Sequence, residues 1–322
     1  MSGGFWVDEA NHRLFSGFSG RQSTFGDGAY QDFGLWSFTP DGQGGGQWAN
    51  LNATAPPRFG DRRPYHALVA SGNGRGYMLG GFAPNASSPD VRNNNWNISG
   101  LVTYDFAANN RTNETVTGTG NGGVVQMGGA QFVPNFGPEG ILVTFGGTQA
   151  KDNGDNFLDS TTVQIYDPAT GNWYEQATTG NIPEPRKSFC MTGAASNNET
   201  YEIFMYAGWG GNLGPRAIPY DEAFVLSLPS FNWFKVDYLA ENPRHSLTCE
   251  HVGGGQIVTI GGVNTTQNGP DSLYNDVFNT PDQFIQGLSV FDLSTMAWRS
   301  DYSAALTEYT PSAAIQQYYA ST

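Results

Sequence analysis

Arginines and long-loop aromatic residues are the groups in this chain whose chemistry best fits ligand binding. The arginines, which stand in an otherwise acidic chain at points where strands are expected to begin, are Arg58, Arg63, Arg186 and Arg244. A guanidinium group can hold a carboxylate through two parallel hydrogen bonds. The aromatic set is Trp96, Trp209 and Tyr274, whose rings can stack on sugars or pack on peptides. The alternative is structural, with each arginine bracing backbone carbonyls and each ring packing within its own loop.

Three short patterns offer weaker chemistry. The acidic stretch 152–156 with Asp159 carries oxygen ligands for Ca²⁺, but it lacks the spacing of a calcium-binding loop. The stretch 17–21 misses the nucleophile-elbow pattern and its strand-to-helix context. The glycine-rich stretch 72–76 is followed by no helix, which favours a hairpin turn over a phosphate loop. We expect no cofactor and no bound metal from these patterns.

Composition restricts the classes of protein that can carry these residues. The 322 residues include 43 glycines, 18 prolines and 14% aromatic residues, a profile typical of an all-β protein with many tight turns. The formal net charge of -14 excludes a nucleic-acid-binding surface, which needs clustered lysine and arginine. No apolar run approaches the roughly 20 residues that span a bilayer. The opening Met1–Phe5 carries no signal-peptide pattern, so any targeting signal or membrane anchor is expected outside residues 1–322.

A repeat with a period of 54 to 66 residues runs through the chain. Each repeat has an apolar strand ending in two small residues, the second of which is Gly17, Gly81, Gly147, Gly208 and Gly262. A loop and a second apolar strand follow, and these second strands are 35–38, 101–104, 163–166, 224–226 and 288–291. A tryptophan stands downstream of four of them: Trp48, Trp173, Trp233 and Trp298. Glycine permits the positive φ of a sharp turn, and a tryptophan can cover the gap between neighbouring sheets.

These features resemble the kelch repeat, the four-stranded blade of a β-propeller, and 166–173 is the closest match to its pattern. The stretches 185–190, 198–206 and 228–233 further resemble fungal extracellular kelch proteins. The resemblance implies an all-β, kelch-type β-propeller with five recognisable four-stranded blades, as part of a six-bladed ring whose first blade precedes this chain. We expect one domain over residues 1–322, with repeats at 1–57, 58–118, 119–185, 186–243 and 244–302 and a closing segment at 303–322.

The cysteines and N-glycosylation sequons bear on the compartment. Cys190 and Cys249 fall on the innermost strands of neighbouring repeats, where a disulfide can form, and two buried free thiols are the alternative. The sequons, all in expected turns or long loops, are Asn52, Asn85, Asn97, Asn110, Asn113, Asn198 and Asn264. Surface loops are where a glycan can be carried. With the resemblance, these features predict a glycosylated extracellular or cell-surface protein.

The predicted function is non-catalytic binding of a protein or glycan ligand through the loop-rich face, by a monomeric propeller. Two alternatives stay open. Galactose oxidase carries copper in a kelch-type propeller, and its resemblance implies Tyr65 and His66 with His251 and one cysteine as candidates for such a site. His12 and His245 are the remaining histidines. An intracellular kelch adaptor would instead have free thiols and unmodified sequons.

Overall fold

The computed structural model describes residues 4–16, 35–51, 64–83, 96–117, 122–151, 154–211, 220–265, 282 and 284–321. Contacts group the chain into two compact units. Unit 1 comprises 1–144, 148–156 and 164–174, and unit 2 comprises 145–147, 157–163 and 175–322. The division therefore runs through the third of the five larger sheets of the described residues, which we call blades 1 to 5 in chain order; each is a four-stranded meander, and blade 4 has one added short strand.

Blades 1 and 2 belong to unit 1. The strands of blade 1 are β1 (Phe5–Asp8), β2 (Arg13–Ser16), β3 (Trp36–Pro40) and β4 (Gly46–Asn50). The strands of blade 2 and its small ribbon are β5 (Leu68–Gly72), β6 (Arg75–Leu79), β7 (Phe82–Ala83), β8 (Trp96–Asn97), β9 (Leu101–Asp105) and β10 (Asn110–Glu114). Blade 2 has the order β5-β6-β9-β10, and β7 pairs with β8 beside it. Each blade is therefore an antiparallel meander.

Blade 3 has the same order with a hairpin inserted between its second and third strands. Its strands and that hairpin are β11 (Gly129–Val133), β12 (Ile141–Phe145), β13 (Thr148–Lys151), β14 (Gly154–Phe157), β15 (Thr162–Asp167) and β16 (Asn172–Ala177). The sheet order is β11-β12-β15-β16, with β13 paired to β14.

Blades 4 and 5 belong to unit 2. Blade 4 has the order β18-β19-β20-β21, with the short β17 added parallel to β21. Its strands are β17 (Thr179–Gly180), β18 (Cys190–Ala195), β19 (Tyr201–Tyr206), β20 (Ala223–Leu228) and β21 (Asn232–Lys235). The ribbon and strands of blade 5 are β22 (Arg244–His245), β23 (Thr248–His251), β24 (Gln256–Ile260), β25 (Val263–Asn264), β26 (Leu288–Asp292) and β27 (Ala297–Arg299). The chain ends in helix α1 (Ala313–Ser321), and no helix of the described residues is long and apolar enough to cross a membrane.

The predicted second strands and the turns at the paired small residues are confirmed. The second of each small pair has positive φ in the four repeats that the structure describes: Gly81 (87°), Gly147 (82°), Gly208 (112°) and Gly262 (117°). Gly81 donates its N–H to Val125 O, and Gly208 donates to Arg244 O. A side chain at either glycine would be strained because L-residues rarely adopt these angles. Gly17 of the first repeat lies outside the described residues.

The core of unit 1 lies between blades 1 and 2. Trp6 is fully buried, stacks on Tyr104 of blade 2 at 5.6 Å and donates its indole N–H to Tyr77 O. Phe15 stacks on Phe106 at 4.7 Å. A Cβ atom at Gly76 would collide with the Trp6 ring. Blade 2 therefore needs glycine at this position so that blade 1 can approach closely.

The core of unit 2 joins blades 4 and 5 to the C-terminal segment. Cys190 on β18 and Cys249 on β23 form a disulfide with their Cα atoms 5.4 Å apart. The surrounding cluster includes Phe204, Phe291 and Ile315 of α1. The disulfide therefore links the first strands of adjacent blades, as the matching repeat positions had allowed.

The four repeat tryptophans have different surroundings. Trp233 of blade 4 is fully buried and packs on Phe145 of blade 3. Trp298 of blade 5 packs on Tyr206 of blade 4 at 4.8 Å. Trp173 packs on Tyr166 of its own blade, and Trp48 is 55% exposed. Two of the four therefore cover the gap between blades.

The carboxyl group of Glu202 is buried in blade 4 and creates a testable pH dependence. Burial raises its pKa, and hydrogen bonds from Thr200 Oγ1 (2.7 Å) and Ser227 Oγ (2.9 Å) oppose the shift. A carboxyl group whose pKa is higher in the folded than in the unfolded state stabilises the fold at pH values below the unfolded pKa of about 4.3. This stabilisation is lost as the pH rises through the folded-state pKa. As the pH rises through this range, we expect the free energy of unfolding to fall less for Glu202→Gln than for the parent chain. Urea unfolding at a series of pH values measures it.

The matched control is Glu199→Gln, which removes an exposed carboxylate from the same hairpin. It should follow the parent chain at every pH. If Glu202→Gln and the parent show parallel stability curves, Glu202 does not ionise in this range.

Candidate functional site

The connection between the second and third strands of a blade pairs with the segment that enters that blade, on the edge that antiparallel strand order predicts. In unit 2 we call this the loop edge, formed by the described parts of 181–187, 209–211, 220–222, 238–245, 263–265 and 282–287. Lys187 and Trp209 exchange both backbone hydrogen bonds, at 3.0 and 2.8 Å. His245 pairs with Val263 at the equivalent point of the next repeat.

Arg186 makes the first of two similar sets of buried contacts on the loop edge, which we call arginine braces. Its side chain is 1% exposed and donates to Glu184 O (3.1 Å) and Ala207 O (3.2 Å). An ion pair with Glu222 Oε2 at 3.3 Å completes its polar contacts. The guanidinium also lies 4.4 Å from the centre of the Tyr220 ring, a cation–π arrangement. The ring of Tyr220 and the carboxylate of Glu222 are thus two residues apart in the connection between the second and third strands of blade 4.

Arg244 repeats this arrangement one blade later. Its side chain is 4% exposed, pairs with Asp282 Oδ1 at 3.3 Å and lies 4.6 Å from the centre of the Phe284 ring. Asp282 and Phe284 are again two residues apart in the connection between the second and third strands. In both repeats this arginine therefore makes the same internal contact, which fixes the connection between the second and third strands of a blade to the segment that enters that same blade.

The structure corrects the expected ligand role of two arginines. Arg186 and Arg244 were expected to present their guanidinium groups to a carboxylate ligand, but they are buried against carboxylates and rings of the chain itself. The structural alternative accounts for both. The physical reason for Arg186 is that two backbone carbonyls and a carboxylate surround its N–H donors, whereas Arg244 is held by the carboxylate of Asp282 and the ring of Phe284.

A cationic and aromatic cluster occupies the same edge and was not foreseen as a set. Lys187 Nζ lies 4.5 Å from the centre of the Trp209 ring and 5.6 Å from that of Phe157. The Trp209 and His245 rings lie 5.9 Å apart. We call Phe157, Lys187, Trp209 and His245 the loop-edge cluster. Lys187 is 4% exposed, whereas Trp209 and His245 are half-buried and reach the surface.

His245 is neutral at physiological pH. Burial, with the nearby positive charge of Lys187, lowers the pKa of its imidazole to about 4. Its Nδ1 lies 2.7 Å from Ser246 Oγ. The cluster therefore combines one ammonium group, one neutral imidazole and two aromatic faces, which suits binding of an amphipathic ligand and offers no activated nucleophile.

A signal for part of this cluster is present in the repeat. The entry segments of repeats 2 to 5 each have one non-glycine residue of positive φ: His66 (56°), Met127 (59°), Ser188 (54°) and Ser246 (58°). Alignment on that residue makes Lys187 and His245 equivalent. Arg186 and Arg244 each stand two residues before this residue, whereas Arg63 stands three residues before His66.

Comparison with known proteins agrees with this repeat architecture. No protein-family model matches the chain. A curated protein of the fungus Arthroderma benhamiae, described as a kelch repeat-containing protein, is 32% identical over 180 residues. The chain is a homologue of this kelch repeat-containing protein. The match covers 54% of the chain and 24% of the relative, so the chain spans about a quarter of the length of the curated relative it matches.

For this kelch homologue, the predicted all-β, kelch-type β-propeller fold class with five four-stranded blades is confirmed. The resemblance to fungal kelch proteins is confirmed as well. The kelch-type fold indicates a protein-binding module. The single-domain assignment and its repeat boundaries stay predictions.

The disulfide bears on the copper alternative. A tyrosine–cysteine crosslink requires a cysteine outside any disulfide, and the kelch homologue joins Cys190 to Cys249. Within the described ranges, no three histidine, cysteine, aspartate or glutamate side chains group as metal ligands. Asp152 lies outside the described residues, and Asp159 accepts a hydrogen bond from Thr161 N.

The remaining predicted site residues divide by whether the structure describes them. Those outside the described residues are Arg58, Arg63, Tyr274, Asn52, Asn85 and the side chain of Trp96. The exposed sequon asparagines are Asn97, Asn110, Asn113 and Asn198, and Asn264 is half-buried. Of the ligand-face candidates, Trp209 is therefore the described residue that joins a partly exposed cluster.

Proposed function

We propose that this kelch homologue is a non-catalytic binding module, located outside the cell or at its surface, that holds a protein ligand on its loop edge. The observation that carries the proposal is the loop-edge cluster, in which Trp209 places an aromatic face beside the ammonium group of Lys187. Tryptophan at the centre of an interface is among the residues that contribute most to protein-binding energy. The buried arginine braces support the proposal because they hold the connections that carry the cluster in fixed positions.

A glycan is the second candidate ligand, and one observation favours it. Trp209 and Phe157 both lie within cation–π distance of Lys187, so two aromatic rings lie close together on the loop edge. Aromatic faces stack on the apolar faces of sugar rings. Screening against peptides and against glycans distinguishes the two ligand classes.

We expect Trp209→Ala to weaken ligand binding at least tenfold, because hot-spot truncations cost about 2 kcal/mol or more. The chain is screened against a displayed library of random peptides and against a glycan array. Affinities of the selected ligands for parent and variant are then measured by calorimetry. Selection of peptides supports the proposed function, and selection of glycans alone supports the second candidate.

The matched control is Trp48→Ala, which removes another exposed tryptophan from a different blade. It should bind the selected ligands with the affinity of the parent chain. Equal affinities of Trp209→Ala and the parent would exclude the loop-edge cluster as the binding site. Absence of any saturable binding in both screens would contradict the binding function itself.

The proposed compartment has a separate test. Protein from its natural host is digested without reduction and analysed by mass spectrometry. We expect a linked peptide pair containing Cys190 and Cys249, and glycan on exposed sequons such as Asn110 and Asn198, because both modifications form in the secretory pathway. Free thiols together with unmodified asparagines would favour the intracellular adaptor.

A further inference from the structure

The N-glycosylation sequons are concentrated in the second repeat. Of the seven sequons, four fall within residues 58–118: Asn85, Asn97, Asn110 and Asn113. Two of these, Asn110 and Asn113, lie on β10, the outermost strand of blade 2. Both asparagines are exposed, and so are Thr112 and Thr115, which complete their sequons. Blade 2 therefore presents two modifiable amide groups along a single strand at the edge of its sheet.

This strand has an open edge in the part of the chain that the structure describes. β10 pairs with β9 on one side, no described strand pairs with it on the other, and four of its five residues are exposed. The unpaired N–H and C=O groups of an edge strand are a template for pairing with another polypeptide. In blade 4 the chain itself covers the outer strand, because β17 pairs in parallel with β21. Blade 2 has no such covering strand among the described residues.

The two asparagines lie on opposite faces of blade 2. Side chains alternate along a strand, so residues three positions apart point to opposite faces. Asn110 shares its face with Glu114, which accepts a hydrogen bond from Tyr166 of blade 3 at 3.0 Å. Asn113 lies on the other face, which packs against blade 1 through Tyr104. Groups attached to both asparagines would therefore flank the open edge from both sides.

The composition of β10 differs from that of the other outer strands. Its five residues are all polar, whereas β4, β16, β21 and β27 each contain a tryptophan. Arg111 takes the place of that tryptophan, since its cross-strand neighbour is Tyr104 at the end of the second strand of the repeat. A glycan is bulky and hydrophilic and needs a solvated surface. The polar strand β10 provides such a surface on both sides of Arg111.

We propose that Asn110 and Asn113 carry N-linked glycans that shield the outer edge of blade 2 from pairing with strands of other polypeptides. A second strand must approach to about 4.8 Å to pair, and a bulky group on each face of the edge prevents this approach. The glycans would thus protect blade 2 as β17 protects blade 4. The inference rests on the location in the proposed function, since N-linked glycans are added in the secretory pathway.

The modification itself is a group transfer. A bond forms between the side-chain amide nitrogen of the asparagine and C1 of the first sugar of a lipid-diphosphate donor. The bond between C1 and the diphosphate breaks, and the lipid diphosphate and one amide proton leave. No electrons are exchanged with an oxidant or reductant.

The test compares two double variants produced in the natural host. Asn110→Gln with Asn113→Gln removes both sequons of β10. The matched control, Asn97→Gln with Asn198→Gln, removes two exposed sequons from the two-residue strand β8 and from a hairpin turn. By light scattering at equal concentration, we expect the first variant to associate several-fold faster than the parent and the control, with an unchanged thermal midpoint. Amide hydrogen exchange of β10 should slow in the associated material, because the edge is then paired.

A second measurement keeps the result independent of folding during synthesis. Folded parent protein and folded control variant are trimmed with an endoglycosidase that leaves one sugar on each modified asparagine. Both trimmed proteins should associate several-fold faster than the untrimmed parent and at the same rate as each other. Association that is unchanged by trimming would contradict the shield even if the first variant fails to fold.

Glycopeptide mass spectrometry of the parent protein separates the possible failures. Unmodified Asn110 and Asn113 beside a glycan on Asn198 would overturn the shield and leave the proposed compartment intact. Occupied sites with equal association of parent and variant would show that the glycans do not protect this edge. Unmodified asparagines at every sequon would contradict the compartment and the shield together. None of these results bears on the loop-edge cluster, which is tested by ligand binding.

Discussion

Trp233→Ala is expected to lower the free energy of unfolding by about 3–5 kcal/mol, the usual cost of truncating a buried aromatic residue. Trp233 is fully buried, and its ring centre lies 5.2 Å from that of Phe145 and 6.4 Å from that of Phe224. Its indole N–H donates to Ser160 O at 3.3 Å. The variant loses these ring contacts and one of the two hydrogen bonds to Ser160 O, which keeps the bond from Thr178 Oγ1 at 2.6 Å. Guanidinium chloride unfolding of the recombinant chain measures the change.

Trp48→Ala in the same recombinant chain is the matched control. Because Trp48 is 55% exposed and packs on Phe38, its loss should cost below about 1 kcal/mol. Equal costs for the two variants would contradict the assignment of Trp233 as the side chain that joins blade 4 to blade 3. The comparison is informative because both residues occupy the same repeat position.

Arg186→Ala is expected to destabilise the chain by about 3–5 kcal/mol, the usual cost of breaking a buried ion pair by removing one partner, because two backbone carbonyls also lose their donor. The substitution removes the partner of Glu222 Oε2 and the donors to Glu184 O and Ala207 O. Glu222 keeps its ion pair with Lys235. We expect part of the loss to be recovered in the double variant Arg186→Met with Glu222→Leu, where no charge is left buried. Denaturant unfolding of the single and double variants gives the coupling.

Arg75→Ala provides the comparison with an exposed ion pair. Arg75 and Glu139 are 33% and 41% exposed, so their 2.8 Å contact should contribute at most about 1 kcal/mol. If Arg186→Ala costs no more than Arg75→Ala, the brace does not stabilise the blade. The loop edge would then owe its geometry to the backbone pairing of Lys187 with Trp209 alone.

Local rules explain why the blades could be predicted. A strand followed by two small residues needs positive φ, and Gly81, Gly147 and Gly208 supply it. The second strands at 101–104 and 288–291 are short apolar runs bounded by turns, a pattern that predicts strands whatever lies around them. The glycine turns and the short apolar strands each depend on only a few adjacent residues, so both could be predicted from the sequence alone.

The candidate site depended on contacts that no local pattern encodes. Arg186 looked equivalent to an exposed ligand group until Tyr220 and Glu222, more than 30 residues further along the chain, were placed around it. The loop-edge cluster likewise unites Phe157, Lys187, Trp209 and His245 from four separated segments. A guanidinium can brace a blade or bind a ligand, and its surroundings decide which of these roles it takes.

By itself, the sequence determined the all-β class, the kelch-type blades, the number of repeats and the equivalent positions of the two cysteines. These follow from strand periodicity, glycine geometry and spacing, which act over short distances. Only the tertiary structure decided that Cys190 and Cys249 are joined, that Arg186 and Arg244 are buried braces, and that Trp233 is buried while Trp48 is exposed. Burial is a property of what packs against a residue, so identical repeat positions take different roles wherever their neighbouring blades differ.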